Sequence, residues 1–386
     1  MAPIWLECVD VLNSVPIAEV TYGESANYWT MNHRDLAYWL LDNGGPIIRF
    51  RTLVDIFEEQ DVGTVSRALK EMTESSEVMR WLDFIGQSIA FNDVHSGRRD
   101  AFENVVAKLV QLGWRAGLQP FDNKTLSFRV WLSENVDNEP IGAHEVFKRT
   151  LIASVLARAG YQTVEAVQKQ VISRLDTIHN FAKNPDFSQI YVDKSEYRGI
   201  PEQLASHDLV NPELYLGQRF ALPWIHDVYA FGHLNIVLEN EQYREKAERI
   251  MEMVLTSEYQ SLPWSYGIAK YGTRYYVLGW AVHLPGYSKA PEGKGFAEML
   301  LVLEALAPFT CIRRSPWFEE LMKYLEVFRT DEGIYSFPRT WLPEKAKGYW
   351  IGGKYMAFDD RRKNPNTIEV ESTFRVLNIR RRAGLF

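Results

Sequence analysis

The chain has 386 residues, 46% hydrophobic and 24% charged, with 50 acidic residues against 43 basic ones and a net charge of −7. These proportions suit a folded core and exclude large-scale disorder, and the negative balance argues against nucleic acid, which requires a basic face. Two cysteines, Cys8 and Cys311, argue against a disulfide framework and a multi-thiolate zinc site.

The N-terminus opens Met-Ala-Pro-Ile-Trp-Leu-Glu, without a basic region leading into an apolar one, so no secretory signal is expected and the cytoplasm is the expected location. Every apolar stretch is broken before about 18 residues, so no membrane span is expected. Residues 1–45 are expected to form an N-terminal extension packing on the rest of a single domain covering 1–386.

Helical periodicity then dominates. Helices are expected at 47–59, 64–72 and 76–86. In 99–113 the apolar residues Phe102, Val105, Val106, Leu109, Val110 and Leu112 form one stripe, and Gly113 is placed to end it. The next helix, 145–159, runs through Val146, Thr150, Leu151, Val155 and Leu156 and stops at Gly160. Its partner follows at once with Val164, Val167, Val171, Leu175 and Ile178 on one face, so the two form an antiparallel hairpin. Residues 184–222 are rich in Pro, Asp, Asn, Gly and Ser and read as a long excursion. Further helices are expected at 227–238, 242–255, 268–283, 295–307 and 316–328. A second excursion, 329–366, carries β-like runs at 334–337 and 349–351 before a last helix at 367–380. Long ordered loops of this kind usually carry or cover a site.

A degenerate repeat runs through these hairpins. Leu109 to Trp114, Leu156 to Tyr161 and Leu238 to Tyr243 share one spacing, and Val171-Ile172 and Met253-Val254 follow the two tyrosines at matching distances. Ten or more helices of uneven length fit a closed double ring better than an open solenoid. The expected fold is therefore all-α, an α/α toroid of helical hairpins with two loop excursions and at most a small β-hairpin. Closure leaves a central cavity for a ligand.

The segments Ile47-Ile48-Arg49-Phe50-Arg51-Thr52-Leu53, Gly113-Trp114, Ala159-Gly160-Tyr161 and Gly279-Trp280-Ala281-Val282-His283-Leu284-Pro285-Gly286 resemble bacterial prenyltransferase- or squalene-cyclase-like α/α toroids. The resemblance spans roughly residues 45–380 and implies the scaffold. The motifs that carry chemistry in that family are absent: Asp359-Asp360 completes neither D-x-D-D nor D-D-x-x-D, and Cys311 has no nearby histidine.

Aromatic residues reach 13%, with 12 tryptophans, which suits either a core of bulky fillers or an aromatic-lined cavity. The leading candidate for chemistry is 222–233, where Pro223 starts a helix and Trp224, Asp227 and Phe231 share a face. Desolvation there would raise the pKa of Asp227 and make it a general acid, the bland alternative being a helix cap. Trp224, His226 and Tyr229 would line the ligand site. His226 and His233 are seven apart, not the four of a helical metal pair, so no metal or cofactor is expected.

A second unit, Leu262-Pro263-Trp264, repeats the Leu-Pro-Trp opening and leads to Tyr266, Tyr271, Arg274, Tyr275 and Tyr276. Its rings would stack on a sugar or stabilise a carbocation, and Trp341 and Trp350 would join them. The third candidate is Glu371, one turn before Arg375, paired across helices with Asp227. The fourth is His95, in the polar segment leading to Glu103 and Asn104. The run Arg380-Arg381-Arg382 reads as a solvated helix end complementing the dipole, in preference to a phosphate site. The expected partner is a small molecule, apolar or sugar, with homo-oligomerisation left open. The leading expectation is a cyclase- or lyase-type enzyme, or a degenerate relative, acting on an isoprenoid-like molecule. A carbohydrate hydrolase or lyase and a non-catalytic helical scaffold are the alternatives.

Overall fold

The computed structural model describes residues 31–140, 142–216, 220–289, 291–344, 347–358, 362 and 365–386. Seventeen α-helices occur among these residues, 58% of which are helical. Asp359, Asp360 and Cys8 lie outside the described residues.

The first helices are α1 (His33–Asn43), α2 (Pro46–Arg51), which runs on as a π-helical turn (Thr52–Phe57), α3 (Val62–Thr73), α4 (Ser76–Asp83) and a single turn α5 (Phe91–Val94). Then follow α6 (Phe102–Gln111), α7 (Gln119–Asn135), α8 (Ala143–Arg158) and α9 (Glu165–Ala182). After the first excursion come α10 (Ile225–Phe231), α11 (Asn235–Glu239), α12 (Glu241–Val254) and α13 (Ser257–Gln260). The last are α14 (Lys294–Leu306), α15 (Thr310–Arg313), α16 (Pro316–Glu326) and α17 (Thr367–Arg382). The expected helices agree in place with these except at 227–238, which breaks at Gly232, and at 268–283. Five were missed: α1, the long α7 and the single turns α5, α13 and α15.

Helix ends explain the repeated spacing. Gly113, at φ +108, and Gly160, at φ +89, take the left-handed turn that ends α6 and α8. The Trp114 N–H then donates to the Leu109 carbonyl and the Tyr161 N–H to the Leu156 carbonyl, while each glycine N–H donates to Val110 and Ala157. These are paired helix-terminating bonds of the Schellman kind. Leu385 to Arg380 closes α17 the same way. Leu238 and Tyr243 share the spacing without the motif, since Tyr243 lies at the start of α12 and donates to Asn240. The third copy is therefore a coincidence of spacing.

The expected helix over 268–283 is instead a β-hairpin. Strands β1 (Tyr191–Val192), β2 (Leu209–Val210), β3 (Ile268–Tyr271) and β4 (Arg274–Val277) form one sheet in that order. β2 and β3 pair parallel, and the outer pairs are antiparallel. The run Arg274-Tyr275-Tyr276-Val277 favours a pleated surface over a helix, and the first excursion supplies the edge it pairs with. The all-α expectation is corrected accordingly. The β-like runs are also corrected: Tyr335 makes one isolated bridge to Arg329, and Trp350–Gly352 is a 3₁₀ turn.

Five helices are enclosed. α6, α8, α10, α14 and α17 bury residues around most of their circumference, and α8 packs on α6 and α10, α10 on α14, and α14 on α17. α17 in turn packs on α2 and its π-helical turn. α7, α9, α12 and α16 keep exposed polar faces outside this set. The apparent polar face of α6 is not a solvent face. Lys108 and Gln111 donate to the carbonyls of Tyr355, Met356 and Ala357, and Asn104 accepts the Trp350 N–H. The second excursion thus lies over α6, its backbone groups satisfied by buried side chains, as an interior requires.

Candidate functional site

An aromatic pocket of about 370 Å³ opens where α8 and α10 begin. Ala143, His144 and Phe147 come from the first turns of α8, and Trp224 from the residue capping α10. Phe91, His95, Trp264, Tyr271, Tyr276, Trp280 and Tyr349 complete the wall from the loops and the hairpin. Among the described residues the lining contains no carboxylate.

One imidazole is held in this wall. The Trp280 indole donates to His95 Nε2 at 3.1 Å, and His95 Nδ1 stands 2.7 Å from Glu103 Oε1. An Nε2 that accepts leaves the ring proton on Nδ1, facing the carboxylate. Tyr349 stacks on the His95 ring at 4.9 Å, and Phe147 meets it edge-on at 5.0 Å. Glu103 is buried on α6, and its second oxygen lies 3.5 Å from His226 Nε2. One carboxylate therefore stands between two imidazoles. Trp280 holds its position at φ +70, a left-handed conformation that costs a bulky residue about 1 kcal/mol or more. Strain of this kind needs surrounding contacts to maintain it, and the bond to His95 is one of them.

The residues expected from sequence divide sharply. His95, Trp224, Trp264 and Tyr271 line this pocket, and His226 is fully buried behind it, against Phe147 and Trp280. Tyr275 bonds the Arg198 carbonyl, and Arg274 is exposed beside the hairpin turn. Tyr266 is buried, its hydroxyl bonded to Tyr259 and Pro223. Trp341 packs on Phe296 and Phe328. Tyr229 and Trp350 lie together against Arg158, and Trp350 lines a different cavity. The two Leu-Pro-Trp units are not equivalent either: Trp224 is buried at a helix start, whereas Trp264 is 49% exposed on a turn.

Asp227 requires correction. It is desolvated as expected, but its carboxylate is not free: Arg174 Nε and Nη2 reach it at 3.0 and 2.8 Å, and the Trp224 N–H donates to it at 2.9 Å. Arg174 also donates to the carbonyls of Phe220 and Leu222, tying the end of the first excursion to α9. Glu371 is likewise committed, to Arg362 and to the Phe358 N–H. The expected Asp227–Glu371 pairing is replaced by two separate buried ion pairs. No group of three or more metal-ligating residues occurs among the described residues.

Glu103, Phe147, Trp280 and Tyr349 were not singled out from the sequence. Only Glu103 left a trace, eight residues after His95 across a helix start. The other three come from distant segments, brought to one place by the packing of α6, α8 and α10.

The buried imidazoles make stability pH-dependent. Burial lowers His226 below the ordinary histidine range despite Glu103 beside it, and burial together with Arg382 and Arg158 holds His233 well below it. The unfolded chain takes protons below pH about 6.5 that the folded chain refuses, so stability is full above that pH and declines beneath it. The slope is up to about 1.4 kcal/mol per pH unit for each such histidine. Urea unfolding at pH 5.5 should show a loss of about 1–3 kcal/mol relative to pH 7.5, reduced in His233→Gln. Equal stability at the two values would refute this.

No helix among the described residues is long and apolar enough to cross a membrane. Comparison with models of protein families, with curated proteins and with solved structures finds no match to this chain.

Proposed function

We propose that the enclosed helices close into an α/α ring and that the protein is an enzyme acting on an apolar, isoprenoid-like molecule held in the aromatic pocket, with His95 as its proton-transferring group. The packing order α6, α8, α10, α14, α17 and back to α2 supports the ring. The single observation carrying the function is the His95 imidazole, which of the two histidines in this largely aromatic wall is the one with a carboxylate, Glu103, buried behind it. A carboxylate at Nδ1 orients the ring and fixes its tautomer, as general acid–base catalysis needs. An imidazole is too weak an acid to protonate an alkene, so the chemistry narrows to proton removal, as in elimination or double-bond isomerisation. The Trp280 indole gives up His95 Nε2 as the ligand enters, and the freed lone pair takes the proton while Nδ1–H stays on Glu103. The aromatic faces would stabilise positive charge developing on the ligand. A sugar hydrolase would need two carboxylates facing across the groove, and the described wall carries none.

Farnesol and maltotriose serve as paired probes, read by tryptophan fluorescence. Farnesol is expected to quench saturably, with affinity about tenfold weaker in Trp280→Ala, and maltotriose to leave the signal unchanged. Deuterium exchange into bound prenyl alcohol in heavy water should fall about 10²–10⁴-fold in His95→Gln. Absence of saturable farnesol binding, or saturable binding of maltotriose alone, would overturn this function.

A further inference from the structure

A second cavity, of about 470 Å³, lies at the opposite ends of the same helices. Arg158 and Gly160 at the end of α8, His233 just beyond α10, Glu304 near the end of α14 and Arg375 to Arg382 on α17 reach it, with Arg51 and Arg115 across from them. Six arginines line it against three acids, Asp55, Glu58 and Glu304.

Most of these arginines have a structural partner. Asp55 takes both Arg51 and Arg115, and Glu58 takes Arg381. Arg382 donates to the carbonyls of Glu304 and Gly232, and Arg375 to that of Met356. Cations on the carbonyls of helix ends are ordinary capping, and capping accounts for Arg382. It does not account for Arg158. That guanidinium lies 4.1 Å from the Trp350 ring centre and 5.4 Å from that of Tyr229. It has no hydrogen bond or ion pair among the described residues, and its Nε is buried without a partner.

Stacking of this kind fixes the plane of a guanidinium and leaves its N–H edge free to grip an oxyanion. Burial pushes both Arg158 and Arg375 down to about 10, against the opposing charge of Glu304 on both and of Glu371 on Arg375. The expected solvated end of α17 is tied down: Arg381 and Arg382 belong to this wall, and Arg380, Arg381 and Arg382 are held by Glu326, Glu58 and backbone carbonyls.

We propose that this cavity binds the phosphate group of a small phosphate ester, gripped by Arg158 and Arg375, with the organic part filling the rest of the space. Three positive charges remain on the wall after its acids are set against its arginines, which matches the two or three negative charges of a phosphomonoester or diphosphate. A single carboxylate would leave most of that charge unmet, and inorganic phosphate alone would leave most of the volume empty.

Isothermal titration of the full chain at low ionic strength tests this, with pyrophosphate, phosphoserine and citrate as probes. Pyrophosphate and phosphoserine are expected to bind once per chain and to raise Tm, with affinity falling steeply in added salt. Arg158→Gln should weaken binding about tenfold or more, and Arg158→Lys by less, because it keeps the charge and loses the fork. If Arg158→Gln does not fold, the lysine variant decides. Absence of saturable binding, affinity unchanged in the Arg158 variants, or citrate binding more tightly than pyrophosphate would each overturn the proposal. The farnesol titration reads the other cavity, so the two proposals fail separately.

Discussion

Asp227→Asn is expected to cost about 3–5 kcal/mol of stability, the penalty of leaving a buried guanidinium without its counter-charge. Both members of the pair are almost wholly inaccessible, at 3% for Arg174 and 1% for Asp227. Asparagine preserves the shape and even the acceptor for the Trp224 N–H, so a pure cap would hardly notice the change. The charge is what is lost. In a chain of this length the loss corresponds to about 5 °C in Tm, read by calorimetry alongside urea unfolding. Replacing both members by apolar residues, Arg174→Met with Asp227→Leu, should recover most of it, since neither charge is then stranded. A single asparagine variant within 1 kcal/mol of the parent would refute the structural role and return Asp227 to the candidates for chemistry.

Gly232→Ala is expected to be the next most damaging change, at about 3 kcal/mol or more. Gly232 ends α10 where that helix crosses α14, and a Cβ placed on it would run into the Ala305 carbonyl oxygen and carbon. Backbone cannot step aside as a side chain does, so α10 and α14 must separate. The Gly232 carbonyl also accepts from Arg382, so the displacement would reach the arginine-lined cavity. Chemical unfolding and pyrophosphate titration of the same variant measure both effects. Wild-type stability and affinity together would show that the helices do not meet as closely as described.

Periodicity made most of the helices legible, because an apolar stripe at 3.6-residue spacing can be buried in only one way. Helix ends were legible too. Gly113 and Gly160 marked stops, since the left-handed turn that terminates a helix carries a steric penalty for any residue with a Cβ. The repeated leucine-to-aromatic spacing was real at α6 and α8 as the signature of that turn. It could not be separated, in sequence, from the accidental copy at Leu238 and Tyr243.

What failed did so for physical reasons, some within a local window and some outside it. α7 was missed because its mixed faces give no clean stripe, and 268–283 was read as helix although β3 pairs with the adjacent β4; only its second partner, β2, lies some sixty residues earlier. Sequence marked Trp224, Trp264 and Tyr271 as ligand-binding candidates and His95 as a catalytic one, and these four fall in the wall of one pocket. Tertiary structure alone decided the protonation partners. Asp227 and Glu371 looked like acids until Arg174 and Arg362 arrived from elsewhere in the chain. Glu103 entered the sequence reading only as the end of the polar segment after His95, and the enclosure of α6 is what buries it. A charged side chain takes its role from what is packed against it, whether that partner stands one helical turn away, as Asp55 does from Arg51, or on another helix, as Arg174 does from Asp227.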